Sequence, residues 1–192
     1  MINIQTFTQK EIAAYLDDLA QLRISVFREY PYLYDGSLGY EKEYLQTFVN
    51  AENGIVVAAF DDDKVVGMST GLPLAQEPAA VIGQWETEDL ASIFYFSESV
   101  LDRNYRGQGI GVQFFHARED WARKLGFTQA VFCGVVRPDD HPLKPAGYLP
   151  LDQFWQKRGF AKKEGYFAEM SWLDRGDAEE TTKALQYWWK AL

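Results

Sequence analysis

Three glycines fall within five residues at Gly107-Gln108-Gly109-Ile110-Gly111, between an apolar run that ends at Leu101 and a helical pattern that begins near Val112. A backbone this free of Cβ atoms turns sharply and brings its N–H groups close to an anion. The helix that follows aims the positive end of its dipole at the same point. The chain is thereby committed to a strand, a tight loop and a helix, with a phosphate-sized cradle at the junction. Two common phosphate motifs do not fit. A P-loop needs Gly-x-x-x-x-Gly-Lys-[Ser/Thr], and Val112-Gln113 stand where Lys-Ser/Thr belongs. The dinucleotide fingerprint Gly-x-Gly-x-x-Gly is met only in its first half, because position 112 is Val and the third glycine arrives one residue early.

The spacing of apolar residues supplies the surrounding elements. A first strand is expected over Ile2 to Phe7. Ile12, Tyr15, Leu16, Leu19, Leu22 and Val26 mark a helix from Glu11 to Glu29, ended by Pro31. A second helical pattern runs through Tyr40, Tyr44, Leu45 and Phe48 to Asn53-Gly54. Ile55–Phe60 and Lys64–Leu74 read as a hairpin turning at Asp61-Asp62-Asp63, a solvated turn rather than a metal site. Pro73 to Asp89 is irregular. Ile93–Leu101 is the strand before the glycine loop, and Ile110–Lys124 the helix after it, stopped by Gly126. A strand over Ala130–Val136, a proline-rich loop from Arg137 to Leu149, a short helix over Asp152–Arg158 and a strand over Gly165–Trp172 follow. A terminal helix is expected over Ala178–Leu192, where Trp188 and Trp189 either form a dimer contact or fold back on their own chain.

With 192 residues, 47% of them hydrophobic, the chain is sized for one domain with a substantial core. Its formal net charge of −9 argues against a nucleic-acid binder, whose affinity comes from Lys and Arg neutralising phosphates. The single cysteine, Cys133, excludes an intrachain disulfide; alternating with Val131 and Val135, it reads as core rather than as a nucleophile. Two histidines, His116 and His141, are too few and too far apart for a metal site, so no metal is expected. The N-terminus lacks a signal-peptide pattern and no apolar run approaches a membrane span, which leaves a cytoplasmic location and no membrane partner as the expectation.

The segment Tyr105-Arg106-Gly107-Gln108-Gly109-Ile110-Gly111 resembles the GNAT superfamily of N-acetyltransferases, whose signature Gln/Arg-x-x-Gly-x-Gly/Ala is met by Arg106, Gly109 and Gly111. Phe154-Trp155-Gln156-Lys157-Arg158-Gly159-Phe160 is similar to the family's Phe-Tyr-x-Lys-x-Gly-Phe segment, and the resemblance spans Ile2 to Trp172. It implies an α/β (α+β) fold, a single domain whose mixed, mostly antiparallel sheet is flanked by helices. It implies transfer of an acetyl group from acetyl-coenzyme A to a primary amine of a small molecule or peptide, by direct attack. Gly107, Gln108, Gly109, Gly111 and Val112 would then face the pyrophosphate, with Arg106 adding charge or fixing the start of the loop. Backbone at Val100 and Leu101 would pair with the pantetheine arm.

For the proton taken from the amine, Glu98 is the candidate, on a strand where simple alternation gives it the same face as Phe94 and Phe96. The alternative is a carboxylate that pairs with a neighbouring Arg or a backbone N–H. The family's usual Tyr in the late short helix is Trp155 here, which cannot protonate a thiolate. Tyr148 or Tyr166 substitutes, Tyr148 having the better position, or the thiolate leaves unprotonated. The family also tends to place an Asn soon after the strand that here ends at Val136, and Arg137–Pro150 reads as an insertion in its place. Tyr30, Tyr32 and Tyr34, Trp85 and Glu86, and His141 are candidates for gripping the acceptor by cation–π contact and ion pairing, or else pack as surface. Two other readings stay open. One is a non-catalytic acyl-coenzyme A sensor, which Trp155 favours; the other is transfer of a different acyl group, or to a hydroxyl.

Overall fold

The computed structural model describes residues 1–77, 81, 85 and 88–192, so Glu86 lies outside the described residues. Its centre is a seven-stranded sheet. β1 (Asn3–Phe7), β2 (Ile55–Asp61), β3 (Lys64–Pro73) and β4 (Ile93–Leu101) form an antiparallel half. β5 (Gln129–Val135) joins β4 in parallel, the one parallel pairing among them. β7 (Glu180–Ala191) lies between β5 and β6 (Ala161–Leu173), giving the order β1-β2-β3-β4-β5-β7-β6. The expected mixed, mostly antiparallel sheet is present.

β2 shows how the sequence selects the layers. Val56, Ala58 and Phe60 point to one face, where they meet Leu19 and Phe27 of α1 (Leu16–Phe27) and Leu45 and Phe48 of α2 (Leu38–Asn50). Ile55, Val57 and Ala59 point to the other, against Ile110, Phe114 and Phe115 of α3 (Ile110–Lys124). A strand covered on both faces carries a continuous apolar run rather than an alternating one. α3 ends as expected at Gly126, φ +88°, where the Phe127 N–H donates to the Ala122 carbonyl and the Gly126 N–H to Arg123. α4 (Asp152–Gln156) is short. Among the described residues no helix is long and apolar enough to cross a membrane.

The terminal segment departs from expectation: 180–191 is strand, not helix. Its burial follows a period of two through Lys183, Leu185 and Tyr187, and Thr181, Thr182, Tyr187, Trp188 and Trp189 are strand formers. β5 and β6 each offer it an open edge. Trp188, buried on the opposite face from Tyr187, stacks on Phe132 with ring centroids 6.3 Å apart, so it belongs to the core and no terminal helix carries it. The first helix is also divided. Gln9–Tyr15 is a 3-10 turn started by Thr8 and Glu11, and α1 begins anew at Leu16 with Asp17 and Asp18 at its positive end. β6 begins earlier than expected because Gly165, φ +79°, lies inside it, within an irregular stretch of its pairing with β7.

Candidate active site

β4 and β5 share only three pairs, Ile93↔Gln129, Phe94↔Ala130 and Tyr95↔Val131, and then part. The cause lies on the other side of β4. Leu72 pairs with Tyr95 but Thr70 pairs with Glu98, so β4 carries one extra residue and bends there. β5 stays with β7 along its whole length. The wedge that opens is a cleft of about 1130 Å³, with Phe96, Ser97, Glu98 and Ser99 on one wall and Phe132, Cys133, Gly134 and Val135 on the other. Gly107, Gly109, Ile110, Gly111 and Val112 also line it, as do Tyr30, Tyr32, Tyr148 and Leu149.

The extra residue also changes faces. Phe94 and Phe96 pack on the α3 side, whereas Glu98 pairs with Arg23 of α1 and Val100 packs among the α1 and α2 side chains. The expectation that Glu98 shares a face with Phe94 and Phe96 therefore fails, because a bulge adds one residue to the alternation. Arg23, itself buried, also bonds to buried Glu41, so one guanidinium serves two carboxylates. Glu98 lines the cleft wall, and its Oε1 is buried there with no hydrogen-bond partner among the described residues.

Arg118 braces the bulge from the α3 side. It occupies a core position in the series Ile110, Phe114, Arg118, Ala122, and it is 1% exposed. Its Nη1 donates to the carbonyls of Thr70 at 3.2 Å and Glu98 at 3.1 Å, and its Nη2 to Ser99 Oγ at 2.9 Å. The guanidinium lies over the Phe96 ring at 4.4 Å. Burial lowers its pKa to about 9, which leaves it charged at neutral pH. Sequence reasoning passed over Arg118, although a charge at a four-residue spacing within an apolar stripe was a signal in plain view.

In the glycine loop, Gly107 (φ +77°) and Gly109 (φ +82°) are left-handed, and a Cβ on either would meet nothing within 4 Å. Gly109 caps α3; the Val112 N–H turns back to the Gly109 carbonyl at 3.0 Å, so the amides of Ile110 and Gly111 are the first-turn donors that a helix start leaves open. Space, free amides and dipole coincide, so the loop fits a pyrophosphate. Arg106 fixes the start of the loop: its Nε donates to the Leu101 carbonyl at 3.1 Å and its Nη2 pairs with Glu29 at 2.9 Å. Val112 and Leu101 line the cleft, whereas the Gln108 side chain folds back toward Asn104 and Val100 is 1% exposed, leaving them backbone roles.

Trp155 is held by Gly134. A Cβ at that glycine would lie 2.8 Å from Trp155 Cη2, so only glycine admits the indole, which packs on Phe132 and Trp188. Tyr148 reaches the cleft and stands edge-on to Tyr30 at 4.7 Å. Burial, helped by Tyr30 and Asp152, raises its pKa, which keeps the phenol protonated at neutral pH. Cys133 faces the cleft as a neutral thiol: burial pushes its pKa to about 12, and its Sγ is 3.0 Å from the Tyr95 hydroxyl.

The acceptor candidates divide. Tyr32 lines the cleft, packed on Phe27 and Trp172. Tyr34 lies outside the cleft lining, its ring over Gly36 and packed against the α1–α2 core. Trp85 is 0% exposed, locked between Tyr166 and Tyr187, because it caps the apolar faces of β5 and β7. His141 turns inward to its own loop, where its Nδ1 accepts the Leu143 N–H at 3.2 Å and its ring meets Tyr30. What positions Tyr32 and its loop is an unpredicted network. Arg137 donates to the carbonyls of Pro31 (2.8 Å) and Tyr32 (2.7 Å) and to both oxygens of Asp174, which also pairs with Lys183 at 3.0 Å. Burial works against the Asp174 anion, but hydrogen bonds from Arg137 and Lys183 outweigh it and hold the pKa below the usual carboxylate range.

Residues 16–160 match the model of the acetyltransferase (GNAT) family. Solved structures share the fold at low identity. A GCN5-related N-acetyltransferase from Kribbella flavida has 16% identity and a TM-score of 0.62, covering 98% of each chain. A ribosomal-protein-alanine N-acetyltransferase from Brucella melitensis has 16% identity and a TM-score of 0.65, covering 99% of each. An aminoglycoside 6'-N-acetyltransferase complexed with coenzyme A has 16% identity and a TM-score of 0.63, covering 98% of this chain and 96% of its own. No curated protein matches the chain by sequence.

Proposed function

The chain belongs to the GNAT acetyltransferase family, and from that premise we propose that it transfers an acetyl group from acetyl-coenzyme A to a primary amine of a small molecule or peptide, by direct attack. The observation that carries this reading is the parting of β4 from β5 directly above the glycine loop. When bound, the coenzyme supplies an activated thioester. Gly107, Gly109 and Gly111, with the amide of Gln108, would hold its pyrophosphate, Val112 lining the cradle with its amide bonded to the Gly109 carbonyl and Arg106 keeping the loop in place. The β5-facing backbone of β4 near Val100 and Leu101 offers an unpaired edge to the pantetheine arm.

The acceptor enters beside Tyr32 and Tyr148. Glu98, a carboxylate of the cleft wall fixed by Arg23, is the group we assign to the ammonium. Tyr148 lines the cleft as a protonated phenol, which supports assigning it to the departing sulfur. The similar structures named for aminoglycoside and ribosomal-protein alanine acetylation indicate the range of amines such a fold serves.

Mass spectrometry of acetyl-coenzyme A incubated with pooled amines, amino acids, aminoglycosides and short peptides tests the reading, with Gly109→Asp as control. A product absent in the control supports it. Coenzyme binding without product in any pool supports the second reading, an acyl-coenzyme A sensor, which Trp155 at the family's tyrosine position favours.

A further inference from the structure

We propose that Glu77 is the final proton acceptor for the incoming amine, reached through the Ser97 hydroxyl; the inference rests on the acetyltransferase reading above. Glu77 follows the short 3-10 turn Leu74–Gln76, which folds the chain back after β3, and the turn is anchored by Gln76 Nε2 donating to the Glu52 carbonyl at 2.8 Å. The carboxylate is thereby set against the β4 bulge, where Ser97 Oγ donates to Glu77 Oε1 at 3.2 Å. Ser97 belongs to the stretch that gives β4 its extra residue, and it lines the cleft. One hydroxyl thus joins the open wedge to a carboxylate behind its wall.

The surroundings suit a group that changes charge. Tyr44 on α2, Tyr95 on β4, Cys133 on β5 and Tyr187 on β7 face Glu77, all of them neutral because burial raises their pKa values. No cation pairs with Glu77 among the described residues, in contrast to Glu98 with its Arg23. Burial raises the Glu77 pKa to about 7, the Ser97 hydrogen bond opposing it in part. Two carboxylates in unlike settings divide two tasks, one holding the ammonium and one taking its proton.

The balance closes. The first ammonium proton passes to Ser97 Oγ as the Ser97 proton passes to Glu77, which later releases it to solvent. The remaining surplus proton on nitrogen, freed as the N–C bond forms, goes to sulfur as the C–S bond breaks.

The test uses the full chain and the amine returned by the pooled assay, with a weakly basic amine of like shape, already neutral across the pH range, as a second acceptor. In wild type, kcat/KM for the basic amine rises with pH to a plateau with its midpoint near 7. In Glu77→Gln that limb is lost and the rate falls by roughly 10²–10⁴-fold. The weakly basic amine loses under about tenfold, since it has no proton to surrender. Ser97→Ala follows Glu77→Gln and Ser97→Thr restores most of the rate, while calorimetry with coenzyme A gives wild-type affinity throughout. An unchanged acidic limb in Glu77→Gln, or equal losses for both amines, overturns the proposal and leaves acetyl transfer standing. Infrared difference spectra provide a readout that needs no acceptor: a carboxyl band titrating near pH 7 and absent in Glu77→Gln is expected. Its absence from wild type overturns the proposal. Failure of wild type to acetylate any amine overturns the acetyltransferase reading, and this inference with it.

Discussion

At its glycine end the cleft is made of backbone. Gly107, Gly109 and Gly111 stand within five residues, and what they contribute is amides and empty space. Elsewhere its wall is made of side chains from distant parts of the chain, Tyr32 after α1 and Arg137 after β5, with Arg137 held from behind by Asp174 after β6 and Asp174 by Lys183 in β7. A wall of amides depends on local dihedral angles, which a few contiguous residues determine. A wall of ion pairs depends on the whole fold delivering charges to one place. The first is specified by very little sequence; the second draws on residues spread over the whole chain. Damage to the two walls should therefore have opposite signatures.

The largest effect is expected at the side-chain wall. Arg137→Ala leaves Asp174 with Lys183 alone and removes donors from the Pro31 and Tyr32 carbonyls, and breaking a buried pair costs about 3–5 kcal/mol. Chemical denaturation should show that loss, with coenzyme A affinity little changed in protein that remains folded; a large fall in coenzyme affinity would break the comparison. The same network has a pH signature. The Asp174 pKa is depressed in the folded state, so its stabilisation is complete above the unfolded value of about 3.9 and is lost as pH falls through the folded value. Asp174→Asn should flatten the acid limb of the stability curve, measured by denaturation at successive pH values.

Gly109→Asp is the reciprocal case. The side chain finds open space but a φ of +82° and an anion's place, so coenzyme affinity should fall about a hundredfold, roughly 2.7 kcal/mol. Folding stability should fall by only about 1 kcal/mol, the usual strain of a left-handed non-glycine residue. Gly134→Ala sits between the extremes. It presses a methyl group into Trp155 at 2.8 Å and should cost about 1–3 kcal/mol, with part of that regained in a Gly134→Ala/Trp155→Tyr double variant. The smallest effect is expected from Tyr148→Phe, which keeps the ring against Tyr30 and removes only the hydroxyl. A fall in kcat of about tenfold with KM unchanged would assign the phenol to the departing sulfur.

The same contrast explains what could be read in advance. The glycine loop, the hairpin at Asp61–Asp63, the capping of α3 by Gly126 and the mixed sheet all follow from residues near one another in the chain. Glu98 was identifiable as a residue of the cleft wall, but its face was not, since one bulge residue in β4 inverts the alternation on which the argument stood. Trp85 and Tyr34 looked like ligand contacts because an aromatic in a loop carries no mark of what will cover it; Tyr166 and Tyr187 come from the far end of the sequence to enclose Trp85. Glu77 gave no signal, for its neighbours lie on four separate elements. The terminal strand reads as a helix in sequence because Ala184, Leu185, Trp188 and Trp189 also fit a helical period, and two open strand edges prevail over that preference.

β7 has a consequence for how the molecule comes into being. Because it lies between β5 and β6, neither can complete its hydrogen bonding until residues 180–191 are available, although both precede it in synthesis. On the ribosome, the half of the sheet that carries the Arg137–Asp174–Lys183 network waits with unsatisfied edges, while β1 to β4 are already able to pair. A chain cut short within β7 would lose two interfaces at once and expose two templates for association with other chains. Quality control of this protein would then turn on residues 180–191 more than on its glycine cradle.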